Sequence, residues 1–294
     1  MRVRFSNFWE GFDPSSNLFS EYMRIQFPEL KIIRNNVSKV EIEFFSVFPN
    51  LRQRIQSKLT TSRSGISYNL NKSNQRIWFC GENQELPSTG GFDQYYSHND
   101  DEMKNAFYFP LWKFDIDWLN SGRINLRLGK RLVPSDLISK RSVNNAKKNR
   151  VCFFVRNLTP ERQELITQIS RLIPVDVYGS TKHNRITSKL DISKNYKYIL
   201  CPENTISPGY TTEKLVEGYF SEAIPIYFGS LPHSNSFNPN AFLYFDSFAQ
   251  TDALLETLKL IDDELWEQKY SSALFTSPQD VNELRGLNSV LTQS

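Results

Sequence analysis

Tyr210, Glu213 and Lys214 bring three complementary side chains together in the stretch CPENTISPGYTTEKLVEGYF (201–220). The stretch reads as a buried strand, a loop holding Pro208-Gly209, and a helix starting at about Thr211. Tyr210 and Lys214 are four apart and share one face of the first turn. Glu213 points about 100° away from Lys214. A helix start presents unpaired N–H groups and the positive end of the helix dipole, which suits phosphate. In an open α/β sheet, the space beyond the carboxyl end of a strand is where ligands bind. One helix start therefore offers a cation for phosphate, a carboxylate for hydroxyls and a phenol for either. The residues alone leave a second reading open, a capped helix whose Glu and Lys are merely exposed.

Other reactive side chains carry weaker patterns. Asp115 and Asp117 form an Asp-x-Asp in KFDIDW, a spelling used for Mn²⁺ or Mg²⁺ but common by chance, so no metal site is expected. His98, His183 and His233 sit in polar stretches without metal-ligand spacing and read as solvated loop residues. Cys80, Cys152 and Cys201 each lie in an apolar run and read as buried free thiols. With no CxxC pair and an odd count, a reducing cytoplasm is expected.

The elements that must hold these groups alternate between short apolar strands and helical patterns, an α/β rhythm. Strands are expected near 2–6, 30–34, 40–47, 75–80, 150–155, 175–179, 196–201, 224–229 and 241–245. Helices are expected over about 15–25, 50–58, 160–172 and 211–220, with a helical, acidic end over 249–292. Thr159-Pro160 is a cap followed by proline at the first helical position.

The 294 residues suit two domains. A net charge of +3 argues against a general nucleic-acid binder. It hides two opposed biases. Residues 123–150 hold nine Lys or Arg against one acid, and 246–285 hold nine acids against three bases. The polar part of the basic strip, about 139–149, reads as an interdomain linker. Attraction to an anionic membrane surface, or a lip around a polyanion, is the alternative. No apolar run is long enough to span a bilayer, and no secretory leader is expected. The 14% aromatic content suits cores and also platforms for sugars or bases.

The order Glu203-Asn204, Tyr210, Thr212-Glu213-Lys214, Ile224-Pro225-Ile226 and Gly229 resembles the donor-binding signature of the α-1,3/1,4-fucosyltransferases, glycosyltransferase family 10, in its bacterial form. The stretch VRNLTPERQELITQISRLIPVDVYG (155–179) resembles the family segment whose helix opens with one key Arg, here Arg162. Locally, Arg162 would read as a surface charge, and a slip of one position would substitute Glu161. Further similar segments are FWEGFDPSSNLF (8–19), RIWFCGENQELPSTGGFDQYYS (76–97), YFPLWKFDIDW (108–118) and FNPNAFLYFDSF (237–248), so the resemblance spans about 8–248.

The resemblance implies a GT-B architecture, two Rossmann-like domains facing a central cleft. Residues 1–140 would bind the acceptor and 141–294 GDP-β-L-fucose, with the last helices able to pack back on the first domain. It implies an inverting transfer of L-fucose to N-acetylglucosamine in a glycan, α-1,3 by preference, such as a lipopolysaccharide O-antigen or N-acetyllactosamine. Glu82 would be the general base. Arg162, Asn204, Tyr210, Thr212, Glu213 and Lys214 would hold the donor, with Glu213 also supporting the reacting centre. No metal or other cofactor would be required. Trp9, Phe92, Tyr95 and Trp112 are candidate acceptor platforms. A cytoplasmic protein with peripheral inner-membrane contact is the expected setting. A different nucleotide sugar, or a non-catalytic glycan-binding or nucleotide-sugar-binding role, stays open, as does the oligomeric state. Some family members carry a C-terminal tail of heptad-like repeats, and no such repeat occurs before Ser294.

Overall fold

The computed structural model describes residues 1–35, 38–48, 73–84, 87, 91–98, 105–143, 147–179, 188–232 and 237–291. The helix expected at 50–58 lies outside them, as do His183 and His233. Contacts divide the chain into two units, Met1–Phe114 with Val281–Ser294, and Asp115–Asp280.

The first unit holds a six-stranded sheet of β1 (Arg2–Ser6), β2 (Lys31–Ile32), β3 (Val40–Phe45), β4 (Ser73–Phe79), β5 (Gln94–Ser97) and β6 (Ala106–Tyr108). The order is β2-β1-β3-β4-β5-β6, and every pair is parallel. Helix α1 (Leu18–Gln26) starts three residues later than expected because Asn17 caps it. The Asn17 side chain accepts from Ser20 N at 3.1 Å, and Ser20 Oγ accepts from Asn17 N at 3.2 Å. Strands β5 and β6 carried no sequence signal. Gln94 on β5 is buried only because its amide donates to Gly286 O at 2.5 Å and Ser289 Oγ at 3.1 Å, partners 192 and 195 residues away.

The aromatic residues of this unit form its core. Phe19 packs within ring contact of Phe44, Phe79, Tyr96, Phe109 and Phe114. Phe92 packs edge-to-face on Phe45 and Tyr95, and Tyr95 lies tilted against Trp78. This corrects three of the four proposed acceptor platforms: Phe92, Tyr95 and Trp112 are at most 7% exposed and cannot stack on a sugar. Trp9 is half-buried against Phe8, Phe12 and Phe48. His98, expected in solvent, is buried as well.

The second unit holds a five-stranded parallel sheet in the order β11-β10-β9-β7-β8. Its strands are β7 (Lys148–Phe154), β8 (Val175–Tyr178), β9 (Tyr196–Pro202), β10 (Ile224–Phe228) and β11 (Leu243–Phe245). In chain order the helices are α2 (Pro134–Leu137), α3 (Pro160–Ser170), α4 (Lys189–Ser193), α5 (Glu213–Phe220), α6 (Thr251–Leu260) and α7 (Asp263–Ser271). The central strands β9 and β10 are buried on both faces, which is why they read as continuous apolar runs. The chain runs from β7 out to β8 and returns on the other side of β7 as β9, so the connection reverses between β7 and β9. That reversal point is the preferred ligand position of a doubly wound sheet.

The boundary anticipated at 140 falls instead at 114/115, and 281–294 groups with the first unit. The physical reason is that the basic strip is anchored in the second unit. The Arg141 guanidinium lies 3.9 and 4.2 Å from the ring centres of Tyr219 and Tyr270. It donates to the carbonyls of Tyr219, Ala223 and Tyr270 at 2.7–2.9 Å. Lys147 donates to Lys194 O and Glu222 O, Arg150 pairs with Asp176, and Arg131 with Asp117. Arg131, Arg141, Lys147 and Arg150 are thus tied into the second unit, while Lys140 and Lys148 stay exposed. Among the described residues, no helix is long and apolar enough to cross a membrane.

Candidate functional site

The site is built around the start of α5. Residues 203–212 leave β9, turn at Gly209, whose φ of +71° favours glycine, and enter α5 through Thr212 as its cap. Glu203, 1% exposed, ties this loop together. Its Oε1 accepts from Thr212 N at 2.8 Å and from Tyr227 OH at 3.1 Å, and its Oε2 lies 2.7 Å from Lys214 Nζ. The Thr212 hydroxyl sits 2.9 and 2.8 Å from the two carboxylate oxygens. Burial pushes the Glu203 carboxyl up, opposed by Lys214 and Thr212. Gly218 lets α5 lie on β9, because a Cβ there would come within 2.5 Å of Cys201 Sγ.

Beyond the ends of β7 and β9 is a cavity of about 360 Å³, lined among others by Asn157, Arg162, Lys189, Asn204, Glu213 and Lys214. Arg162 reaches it from the first turn of α3, which Thr159 caps and Pro160 opens. Its guanidinium donates to Asn157 O at 2.9 Å and Asn204 Oδ1 at 3.0 Å. Glu161, one position earlier, is exposed and does not line the cavity. Four cations, two carboxylates and two amides thus share one small space of the second unit.

Two of the residues proposed for donor contact are elsewhere. Tyr210 is 1% and Thr212 3% exposed, and neither lines the cavity. The loop folds Tyr210 inward, and Thr212 spends its hydroxyl on Glu203. Glu82 belongs to the first unit, half-buried just beyond β4, with its backbone oxygen accepting from Gln84 N at 2.9 Å.

Sequence reasoning missed Arg127, Lys189 and Glu217. Glu217 lies one turn after Glu213 and lines the cavity, a spacing that was legible. Arg127 was visible only as one charge in the basic strip, and it meets α5 from about 90 residues away in the chain. Burial pushes the Glu213 carboxyl up, but Arg127, Lys214 and Lys189 outweigh it and hold the group below its ordinary value.

The two acids of the Asp-x-Asp pair are held differently. Asp117 is occupied by Ser121 N, Ser121 Oγ, Gly122 N and Arg131 Nε at 2.5–2.9 Å. Asp115 closes a 3₁₀ turn with its Oδ2 buried and unpartnered, and burial raises its carboxyl well above the ordinary range. Among the described residues, no three His, Cys, Asp or Glu side chains gather as metal ligands do. The three cysteines are free and buried.

Residues 144–273 match the sequence model described as glycosyltransferase family 10 (fucosyltransferase), C-terminal. An alpha-(1,3)-fucosyltransferase of Helicobacter pylori is 26% identical over 253 residues, covering 78% of this chain and 51% of that protein. A putative fucosyltransferase of Acanthamoeba polyphaga mimivirus is 28% identical over 149 residues, covering 45% of this chain and 25% of its own. The chain thus spans about half or less of these curated relatives. A crystal structure of an α1,3-fucosyltransferase with GDP superposes with a TM-score of 0.68 at 19% identity, over 99% of this chain and 90% of that one. A crystal structure of α1,3-fucosyltransferase with GDP-fucose gives 0.66 at the same identity. The fold these structures share with the chain is the GT-B class of two Rossmann-like units, and residues 144–273 are similar to the C-terminal domain of glycosyltransferase family 10.

Proposed function

We propose that the protein is a fucosyltransferase that moves L-fucose from GDP-β-L-fucose to a hydroxyl of an N-acetylglucosamine-containing glycan, making an α-1,3 linkage with inversion. The observation that carries the proposal is the cavity at the β7/β9 reversal, where Arg162 and Lys214 converge with Glu213 inside the family-matched segment.

In the proposed reaction the acceptor oxygen bonds to the anomeric carbon as the bond from that carbon to the diphosphate oxygen breaks. The acceptor proton passes to Glu82, and GDP leaves. Negative charge develops on the diphosphate. Arg162, held by Asn157 and Asn204, and Lys214, held by Glu203, meet it without reorganising. Glu213 takes the sugar hydroxyls and faces the positive charge that grows at the ring. Tyr210 and Thr212 act from beneath by fixing the loop. The reaction as proposed needs no metal, because side-chain cations answer the leaving group. The acceptor class, N-acetyllactosamine or an O-antigen unit at a membrane surface, rests on the family resemblance.

The test is purified protein with GDP-fucose and N-acetyllactosamine, with and without EDTA. Transfer that survives EDTA is expected, and Glu82→Gln should abolish turnover while GDP still binds. Absence of transfer to any N-acetylglucosamine-containing acceptor would refute the assignment, loss with EDTA would refute the metal-free step, and turnover by the Gln variant would remove Glu82 as base.

A further inference from the structure

Two carboxylates on one face of α5, one of them almost wholly out of water, need a cation to keep them apart and charged. Glu213 and Glu217 are four apart on α5 and line the cavity together. The Glu217 side chain is 2% exposed. A single atom, Arg127 Nη1, lies 3.0 Å from Glu213 Oε1 and 2.8 Å from Glu217 Oε1. The other oxygen of Glu217 accepts from Lys189 Nζ at 2.8 Å. Glu217 is therefore gripped from both sides, and Arg127 passes that rigidity on to Glu213.

The loop that presents Arg127 is itself fixed. Asn125 and Lys130 are bridged, with Asn125 N donating to Lys130 O at 2.9 Å. The buried Asn125 side chain accepts from the backbone N–H groups of Arg127 and Leu128, both at 3.0 Å. Arg127 O accepts from Lys189 N at 3.2 Å, which ties the loop to the start of α4. Both the backbone and the guanidinium of Arg127 are thus held by elements that line the cavity.

We propose that Arg127 is a positioning residue that bridges Glu213 to Glu217 and holds the Glu213 carboxylate ionised and aimed into the donor cavity. The proposal rests on the reading of Glu213 as the group that contacts the donor sugar. The charges that act on Glu213 are the cations Arg127, Lys214 and Lys189 and the acids Asp115, Glu203 and Glu217. Of the cations, Lys214 is already paired with Glu203 and Lys189 with Glu217. Arg127 alone makes a direct ion pair with Glu213 among the described residues. Its side chain is 50% exposed, so solvent partly screens the charge, and orientation is the larger part of its effect.

The test compares wild type, Arg127→Met and Arg127→Lys. Expected for the Met variant is a fall in kcat on the order of 10²-fold, the usual consequence of a small misplacement. GDP affinity by calorimetry should stay within about 3-fold, since GDP lacks the sugar. The acid limb of the kcat profile should move to higher pH by roughly one unit, because loss of a neighbouring cation favours the protonated carboxyl. The Lys variant should recover part of kcat. Independently of turnover, the Glu213 carboxyl carbon, followed by NMR titration, should titrate at higher pH in the Met variant. An unchanged titration and acid limb would overturn the proposal while leaving the transferase reading intact. Equal losses of kcat, GDP affinity and melting temperature would overturn it as well, reducing Arg127 to a structural tie. Failure of wild-type transfer would instead strike the transferase reading, and the positioning role would fall with it even if the titration shift were present.

Discussion

The two ends of α5 face the same physical problem and solve it differently. A helix end leaves backbone groups without partners. At the C-terminal end, Arg141 donates to Tyr219 O and Ala223 O and lies between two tyrosine rings, while Lys147 takes Glu222 O. The cations there are used up by carbonyls and aromatic faces. At the N-terminal end, Thr212 caps the helix and the cations are paired with carboxylates instead: Lys214 with Glu203, and Arg127 with Glu213 and Glu217. Those pairs border a cavity. Cations committed to carbonyls under aromatic rings can only stabilise, whereas cations held by carboxylates at a cavity wall keep a fixed direction toward a ligand.

The largest test of this contrast is Lys214→Met. If the N-terminal end is the working end, transfer from GDP-fucose should fall on the order of 10²- to 10³-fold, as for loss of one preorganised charge stabiliser. The urea midpoint should fall as well, because the buried Glu203 keeps its bonds from Thr212 and Tyr227 but loses its cation, so turnover is read per folded protein. A variant that keeps full turnover would erase the distinction between the ends. Arg141→Met should do the reverse. Urea unfolding should show a loss of about 2 to 3 kcal/mol, the scale of hydrogen bonds from a charged donor, with kcat of the folded fraction within about 2-fold of wild type. A selective loss of kcat would mean that the C-terminal end reaches the chemistry.

The smallest effect sharpens the same point at the edge of the sheet. Arg150 pairs with Asp176 through two contacts at 2.5 and 2.8 Å, both side chains partly in water. The Arg150 hydrogen bond holds the Asp176 carboxyl below its ordinary value. A depressed folded-state value means that stability is present above the unfolded value, near 3.9 for Asp, and is lost as pH falls through the lower folded one. Asp176→Asn should remove that acid-side loss and cost less than about 1 kcal/mol at neutral pH. A larger cost in urea titration would show that this exposed member of the basic strip is as structural as Arg141.

The residues of the site differ in how visible they were before folding. Glu213, Lys214 and the cap at Thr212 sit within three positions, and Arg162 lies three after its own cap Thr159, so local spacing and the family pattern exposed them together. The inward turn of Tyr210 was not visible, because a phenol at a loop end looks alike whether it faces a ligand or the core. The buried positions of Phe92, Tyr95 and Trp112 were missed for a related reason. Aromatic residues serve cores and sugar platforms equally well, and only packing against Phe45 and Trp78 separates the uses for Phe92 and Tyr95.

What the sequence determined by itself was written in short-range order: the apolar strands other than β5 and β6, the capped start of α3, and the cluster that opens α5. What only the tertiary structure decided was which distant charges meet that cluster. Arg127, Arg141 and Lys147 belong to one basic run, yet folding sends the first to the carboxylates Glu213 and Glu217 and the other two to carbonyls at the far end of the same helix. Charge composition is indifferent to that choice. It is made by long-range burial, because a cation leaving water must take whichever partners the packed chain places within reach.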